Sequence, residues 1–107
     1  MNRYQILIEY EGTLYNGWQI QKKGKSIQEN IEIVLSKLLK EKIKIHGSGR
    51  TDAGVHAKEQ SAHFDTTNKI IQKDKLLNSL NFFLNKKKIS ILKIKKKNKL
   101  FHSRYSA

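Results

Sequence analysis

Hydrophobic and polar residues alternate from Tyr4 to Tyr10, "YQILIEY", with Tyr4, Ile6, Ile8 and Tyr10 on one side and Gln5, Leu7 and Glu9 on the other. That period of two predicts a half-buried strand. "EGTLYNGWQIQKKGK" follows with three glycines and no period, and reads as a long loop. The period then changes. In "SIQENIEIVLSKLLK" the residues Ile27, Ile31, Val34, Leu35, Leu38 and Leu39 recur at helical spacing. Ser26 and Glu29 stand in capping-box spacing before them, so the helix start is marked as well as its face.

"IKIHG" (43–47) and "SAHFD" (61–65) are short alternating runs and predict two further strands. "DKLLNSLNFFL" predicts a second helix that buries Leu76, Leu77, Leu80, Phe83 and Leu84, with Asp74 near its positive end. "ISILKIK" (89–95) predicts a fourth strand whose alternation slips at Leu92, as a bulge makes it do. The order β-α-β-β-α-β is that of the ferredoxin-like split βαβ unit, an α+β fold with two helices on one face of a four-stranded sheet. At 107 residues the chain is expected to form a single domain. That topology carries unrelated activities, so the residues must say which one applies.

Composition narrows the classes. There is no cysteine, which excludes a disulfide framework and a thiolate metal site within this sequence. No apolar run approaches the roughly 18 residues of a membrane span, and the start does not resemble a signal peptide. The expected setting is soluble and cytoplasmic, with no membrane partner. Lys and Arg outnumber Asp and Glu 22 to 9, a formal charge of +13. The excess is concentrated at the end, where residues 85–107 hold nine basic side chains and no acidic one. A field of that sign attracts phosphate backbones. A chain without proline and rich in Lys, Ile and Asn also fits a general compositional drift, so charge alone leaves both readings open.

The loop between the second and third strands is the richest in chemistry. "IHGSGRTDAGVHAKEQ" carries Gly47, Gly49 and Gly54, with Arg50 and Asp52 either side of Thr51. Asp commonly closes turns by bonding its own backbone, and glycine supplies positive φ, so "TDAG" reads as turn chemistry. It reads equally as a site. A carboxylate held beside a cation stays ionised at neutral pH, which a nucleophile requires, and long loops on rigid scaffolds commonly carry function. His56 reads mainly as a hydrogen-bond partner within the loop, and His46, His63 and His102 have no metal-like spacing.

The nine residues "GRTDAGVHA", Gly49 to Ala57, resemble the signature of the TruA-type tRNA pseudouridine synthases. "EYEGTLYNGWQIQ" resembles that family's opening, with Glu11 where Asp is usual; Trp18 and Gln19 there read as loop-ordering residues. "SIQENIEIVLSKLL", "QSAHFDTT" and "FHSRYSA" are similar to later family blocks in the same order, over essentially the whole chain. The resemblance implies half of the pseudouridine synthase fold, needing no cofactor and no metal. The implied reaction converts uridine at tRNA positions 38 to 40, in the anticodon stem-loop, to pseudouridine. It makes Asp52 the nucleophile, Arg50 the base-flipping residue, and Phe101, His102, Ser103, Arg104 and Tyr105 an RNA-contacting segment. Gly49, Thr51, Gly54 and His56 support the loop. A homodimer spanned by tRNA is implied too.

The chain also departs from the family. Family members are typically more than twice this long, so the sequence reads as the N-terminal, catalytic-type domain (1–107) with the C-terminal half absent. Asn85 stands where the family usually has proline, and a lysine lies near its usual aspartate. An arginine expected between the third strand and second helix has no match, since Ile70 and Ile71 sit there. The alternative is a non-catalytic, basic tRNA-binding remnant.

Overall fold

A computed structural model of the chain describes residues 1–11, 26–47 and 58–101. Strand β1 (Asn2–Tyr10) leads to helix α1 (Ile27–Leu39), then β2 (Ile45–Gly47), β3 (Lys58–Thr66), helix α2 (Lys73–Leu84), a 3-10 turn at Asn85–Lys87, and β4 (Ile89–Lys97). The sheet order is β2-β3-β1-β4, with every pair antiparallel. This is the expected ferredoxin-like α+β arrangement.

Alternation along β1 decides the layers. Tyr4, Ile6, Ile8 and Tyr10 are buried, and so are Ala62 and Phe64 of β3, Ile45 of β2, and Ile89, Ile91 and Ile94 of β4. They meet Ile27, Ile31 and Leu35 of α1 and Leu80 and Leu84 of α2 in one core. Each large aliphatic side chain so buried contributes about 1.5–3 kcal/mol. Tyr4 stacks on Phe64 with ring centroids 5.8 Å apart, and its hydroxyl accepts from the Ile70 amide at 2.8 Å. The core therefore also fixes the connection from β3 to α2. Tyr10 lies in this core as well, and burial pushes its hydroxyl pKa up to about 12.

Local signals account for the element ends. The Glu29 amide donates to Ser26 Oγ at 3.1 Å while the Ser26 amide donates to the Glu29 carboxylate at 3.3 Å, the reciprocal cap that the spacing predicts. Lys40 ends α1 in the left-handed region at φ 54°, its amide donating to the Ser36 carbonyl. In β4, Ile91 pairs with Ile8 and Lys93 with Leu7, so Leu92 is the extra residue of a bulge and is exposed. The bulge lets Ile91 and Ile94 both face the helices.

Three expectations are corrected. The second strand is three residues long, not five, and Ile43 is buried just before it. The third runs over nine residues, because it pairs with β1 along its whole length. Phe83 is 40 % exposed instead of buried. The buried stripe of α2 runs through Leu80 and Leu84, leaving Phe83 on its shoulder with its ring edge-on to Phe82 at 5.1 Å.

Both outer strands are tied to the helix above them. Asn81 of α2 accepts from the Ile91 amide at 2.7 Å and donates to the Ile91 carbonyl at 2.9 Å. On the other side, Glu32 of α1 accepts from the Ile45 amide at 2.9 Å, and Gln28 donates to the Ile45 carbonyl at 3.3 Å. Each edge thus has one residue whose two backbone groups are satisfied by side chains, closing that point to a further strand. Replacing Asn81 with Ala removes both partners of Ile91, and stability should fall by about 1–3 kcal/mol. Exposed Asn78→Ala should stay within about 0.5 kcal/mol of wild type. Urea unfolding midpoints of the two variants check this.

Candidate nucleic-acid interface

Directly paired residues of neighbouring strands share a face, so the register defines what the helices leave uncovered. One row across that face is His46, His63, Gln5 and Lys95; the next is Asp65, Arg3 and Lys97; a third is Ser61, Leu7 and Lys93. Gln5 also donates to Ser61 Oγ at 2.8 Å. Glu9, paired with Glu59 and Ser90, puts a carboxylate at the far end of this face, and β4 lines it with three lysines at spacing two. Lys93 and Lys97 push the Lys95 ammonium below its ordinary pKa by repulsion. A phosphate backbone laid along this row would relieve that repulsion.

Arg3 is the polar centre of this face. Its Nε and Nη2 donate to the two Asp65 carboxylate oxygens at 2.8 and 2.9 Å, a two-pronged ion pair. Its Nη1 donates to the carbonyls of Lys99, at 2.9 Å, and Phe101. Those carbonyls belong to a turn that follows β4. Within it, the Leu100 amide donates to Asn98 Oδ1 at 2.7 Å and the Phe101 amide to the Asn98 carbonyl at 2.9 Å.

The turn sends the chain back over the sheet. The Phe101 ring lies edge-on to His63, centroids 6.1 Å apart, with the Lys97 ammonium 5.2 Å from its own centroid. His63 in turn stacks on His46 at 5.1 Å. His63 is only 2 % exposed, although it lies on the face without helices. A ladder of three rings therefore joins the end of the described chain to β2.

Of the residues expected to form the site, Phe101 is described and takes this position. Arg50, Asp52 and their loop neighbours Gly49, Thr51, Gly54 and His56 lie outside the described residues, as do Trp18, Gln19, His102, Ser103, Arg104 and Tyr105. The structure gives the ends of the elements that flank segments 12–25 and 48–57. Segment 48–57 joins Gly47 to Lys58, and Lys58 pairs with Tyr10. The 12–25 segment departs just beyond Tyr10, so both segments leave the same end of the sheet. The Arg3–Asp65 pair and the histidine pair are absent from the sequence reading. Alternation places their side chains on one face, but the register that brings them together is invisible in it. Among the described residues, no group of three or more His, Cys, Asp or Glu is arranged to hold a metal ion, and no helix is long and apolar enough to cross a membrane.

An α+β unit with one helix-covered face and one uncovered face fits half of the pseudouridine synthase fold. The family model described as tRNA pseudouridine synthase matches residues 6–106. The chain is 64 % identical, over all 107 residues, to tRNA pseudouridine synthase A of Pelagibacter ubique, covering 44 % of that protein. It is 47 % identical over 105 residues, 98 % of its length, to the protein of the same name from Neorickettsia sennetsu, covering 43 % of it. With that of Acinetobacter baumannii strain ACICU the identity is 49 % over 108 aligned positions, 100 % of this chain and 40 % of the relative. The chain belongs to the tRNA pseudouridine synthase family. It spans less than half the length of these curated relatives.

The ion pair has a consequence in acid. The Arg3 hydrogen bonds hold the Asp65 carboxyl below its ordinary pKa; burial opposes this, and charge on Arg3, His63 and His46 adds to it. A carboxyl with a depressed native pKa adds stability that is complete above the unfolded value and is lost as pH falls through the native one. Asp65 is 36 % exposed, so solvent screens part of this effect. Asp65→Asn should therefore flatten the acid limb of stability. Urea midpoints measured from about pH 6 down to about pH 3 should fall less steeply than in wild type.

Proposed function

We propose that this chain forms the N-terminal part of a tRNA pseudouridine synthase that isomerises uridine in the anticodon stem-loop, at tRNA positions 38 to 40. Membership of the family carries this reading, together with the "GRTDAGVHA" signature at the loop entered from β2. The row of lysines along β4 on the uncovered face supports it, because a stem is recognised mainly by its shape and backbone.

Asp52 is the nucleophile in this reading. The N1–C1′ glycosidic bond breaks, the uracil turns, C5 bonds to C1′, and the proton lost from C5 is balanced by one gained at N1. No redox partner is needed, since substrate and product are isomers. Arg50 lies two residues from Asp52, where its charge favours the ionised carboxylate. Extruding the uridine costs a few kcal/mol, and a planar guanidinium can stack into the vacancy as well as bond phosphate. Phe101 to Tyr105 contact the RNA, Arg104 taking a backbone phosphate. Gly49, Thr51, Gly54 and His56 hold the loop. The reading further implies a cytoplasmic homodimer across which the tRNA lies.

Incubating the protein with an anticodon stem-loop RNA and assaying pseudouridine tests this directly. Product is expected with wild type, and Asp52→Ala should lower its rate at least about a thousandfold while RNA affinity stays within about twofold. Turnover that survives Asp52→Ala overturns the assignment; binding without any turnover favours the non-catalytic tRNA-binding reading. Affinity should drop at least about tenfold between roughly 50 and 200 mM salt.

A further inference from the structure

Arg3 lies on the first strand, 98 residues from the segment it holds, and its four hydrogen bonds leave little of the guanidinium for a ligand. Two prongs are spent on Asp65, which fixes the plane of the group. The remaining nitrogen then points at the turn after β4 and takes the carbonyls of Lys99 and Phe101. These carbonyls set where the chain crosses the sheet and hence where the Phe101 ring meets His63.

We propose that Arg3 is a positioning residue for RNA binding: anchored by Asp65, it fixes the Lys99–Phe101 turn so that Phe101 is held against His63 beside the β4 lysines. This role rests on the reading of the uncovered face as the tRNA surface. Arg3 acts through Phe101 and does not itself contact phosphate. A lysine in its place keeps the charge, yet a single ammonium cannot hold a carboxylate with two prongs and two carbonyls in one plane. Charge and fork are therefore separable by substitution.

Two measurements decide the matter. The first needs no RNA. Amide hydrogen exchange at Leu100 and Phe101 reads the turn directly, because both amides are bonded to Asn98 in wild type. In Arg3→Lys their exchange should rise about tenfold, while the amides of β1 and β3 that pair in the sheet stay protected. Unchanged exchange at Phe101 overturns the clamp.

The second is binding of an anticodon stem-loop RNA, followed by fluorescence anisotropy at fixed salt. Arg3→Lys and Phe101→Ala should each bind about tenfold more weakly, and the double variant no more weakly than the worse single one. Arg3→Lys should also keep the salt dependence of wild type, which loss of a phosphate contact would reduce. Rescue of wild-type affinity by lysine, or losses that multiply in the double variant, overturns the positioning role. A wild-type protein that binds no RNA overturns the functional reading, and this role with it. In that case the exchange result still shows whether the clamp itself exists.

Discussion

The period-two alternation of β1 is the constraint on which the molecule rests. This strand lies between β3 and β4 and pairs with both along nearly its whole length. A slip of one residue would carry Arg3, Gln5 and Glu9 into the core and expose Tyr4, Ile6, Ile8 and Tyr10. Four large apolar side chains would lose their burial at once, at about 1.5–3 kcal/mol each. Register is thereby fixed from the apolar side, and the polar side inherits it. The meeting of Arg3 with Asp65, and of His63 with His46, is a by-product of how the opposite face packs.

With the helices on one face, chemistry is left to the other face, the loops and the edges. The edges are partly closed, since Asn81 satisfies Ile91 on β4 and the Gln28–Glu32 pair satisfies Ile45 on β2. Polar side chains on two different helices do the same work at opposite borders of the sheet. The uncovered face receives the lysines of β4, and the turn at Asn98 brings Phe101 back onto it. Segments 12–25 and 48–57 both attach at the sheet end bearing Tyr10 and Lys58.

Much of the scaffold is legible in the residues. The capping box announces α1, the alternation announces β1, and the slip at Leu92 announces the bulge, because each depends on neighbours within a few positions. The lengths of β2 and β3 are less legible, since a strand extends as far as its partner allows. Phe83 misleads because helical spacing defines a stripe but not the width of the surface that receives it. The Arg3–Asp65 pair depends on a register between strands 62 residues apart, which no local pattern encodes. For Asp52 and Arg50 the case is the reverse. Their residue types and spacing permit a turn as readily as a site, and the family signature, which covers all nine residues, supports the second.

Arg3 and Lys95 are cations of two kinds, and under the proposed function the difference separates holding the fold from binding RNA. Arg3 is paired with Asp65, which raises its guanidinium pKa above the ordinary value. Lys95 shifts the opposite way under its lysine neighbours. A cation already matched by a carboxylate gains little from phosphate, because binding RNA would mean giving up hydrogen bonds that hold the turn. A cation crowded by its own kind gains from any anion that approaches. On the proposed reading, the paired charge holds the turn and the crowded ones would draw in RNA. Since the two lie on neighbouring strands of the same face, with Arg3 paired in register with Lys97, the group that fixes the turn stands beside the lysine row proposed to attract RNA.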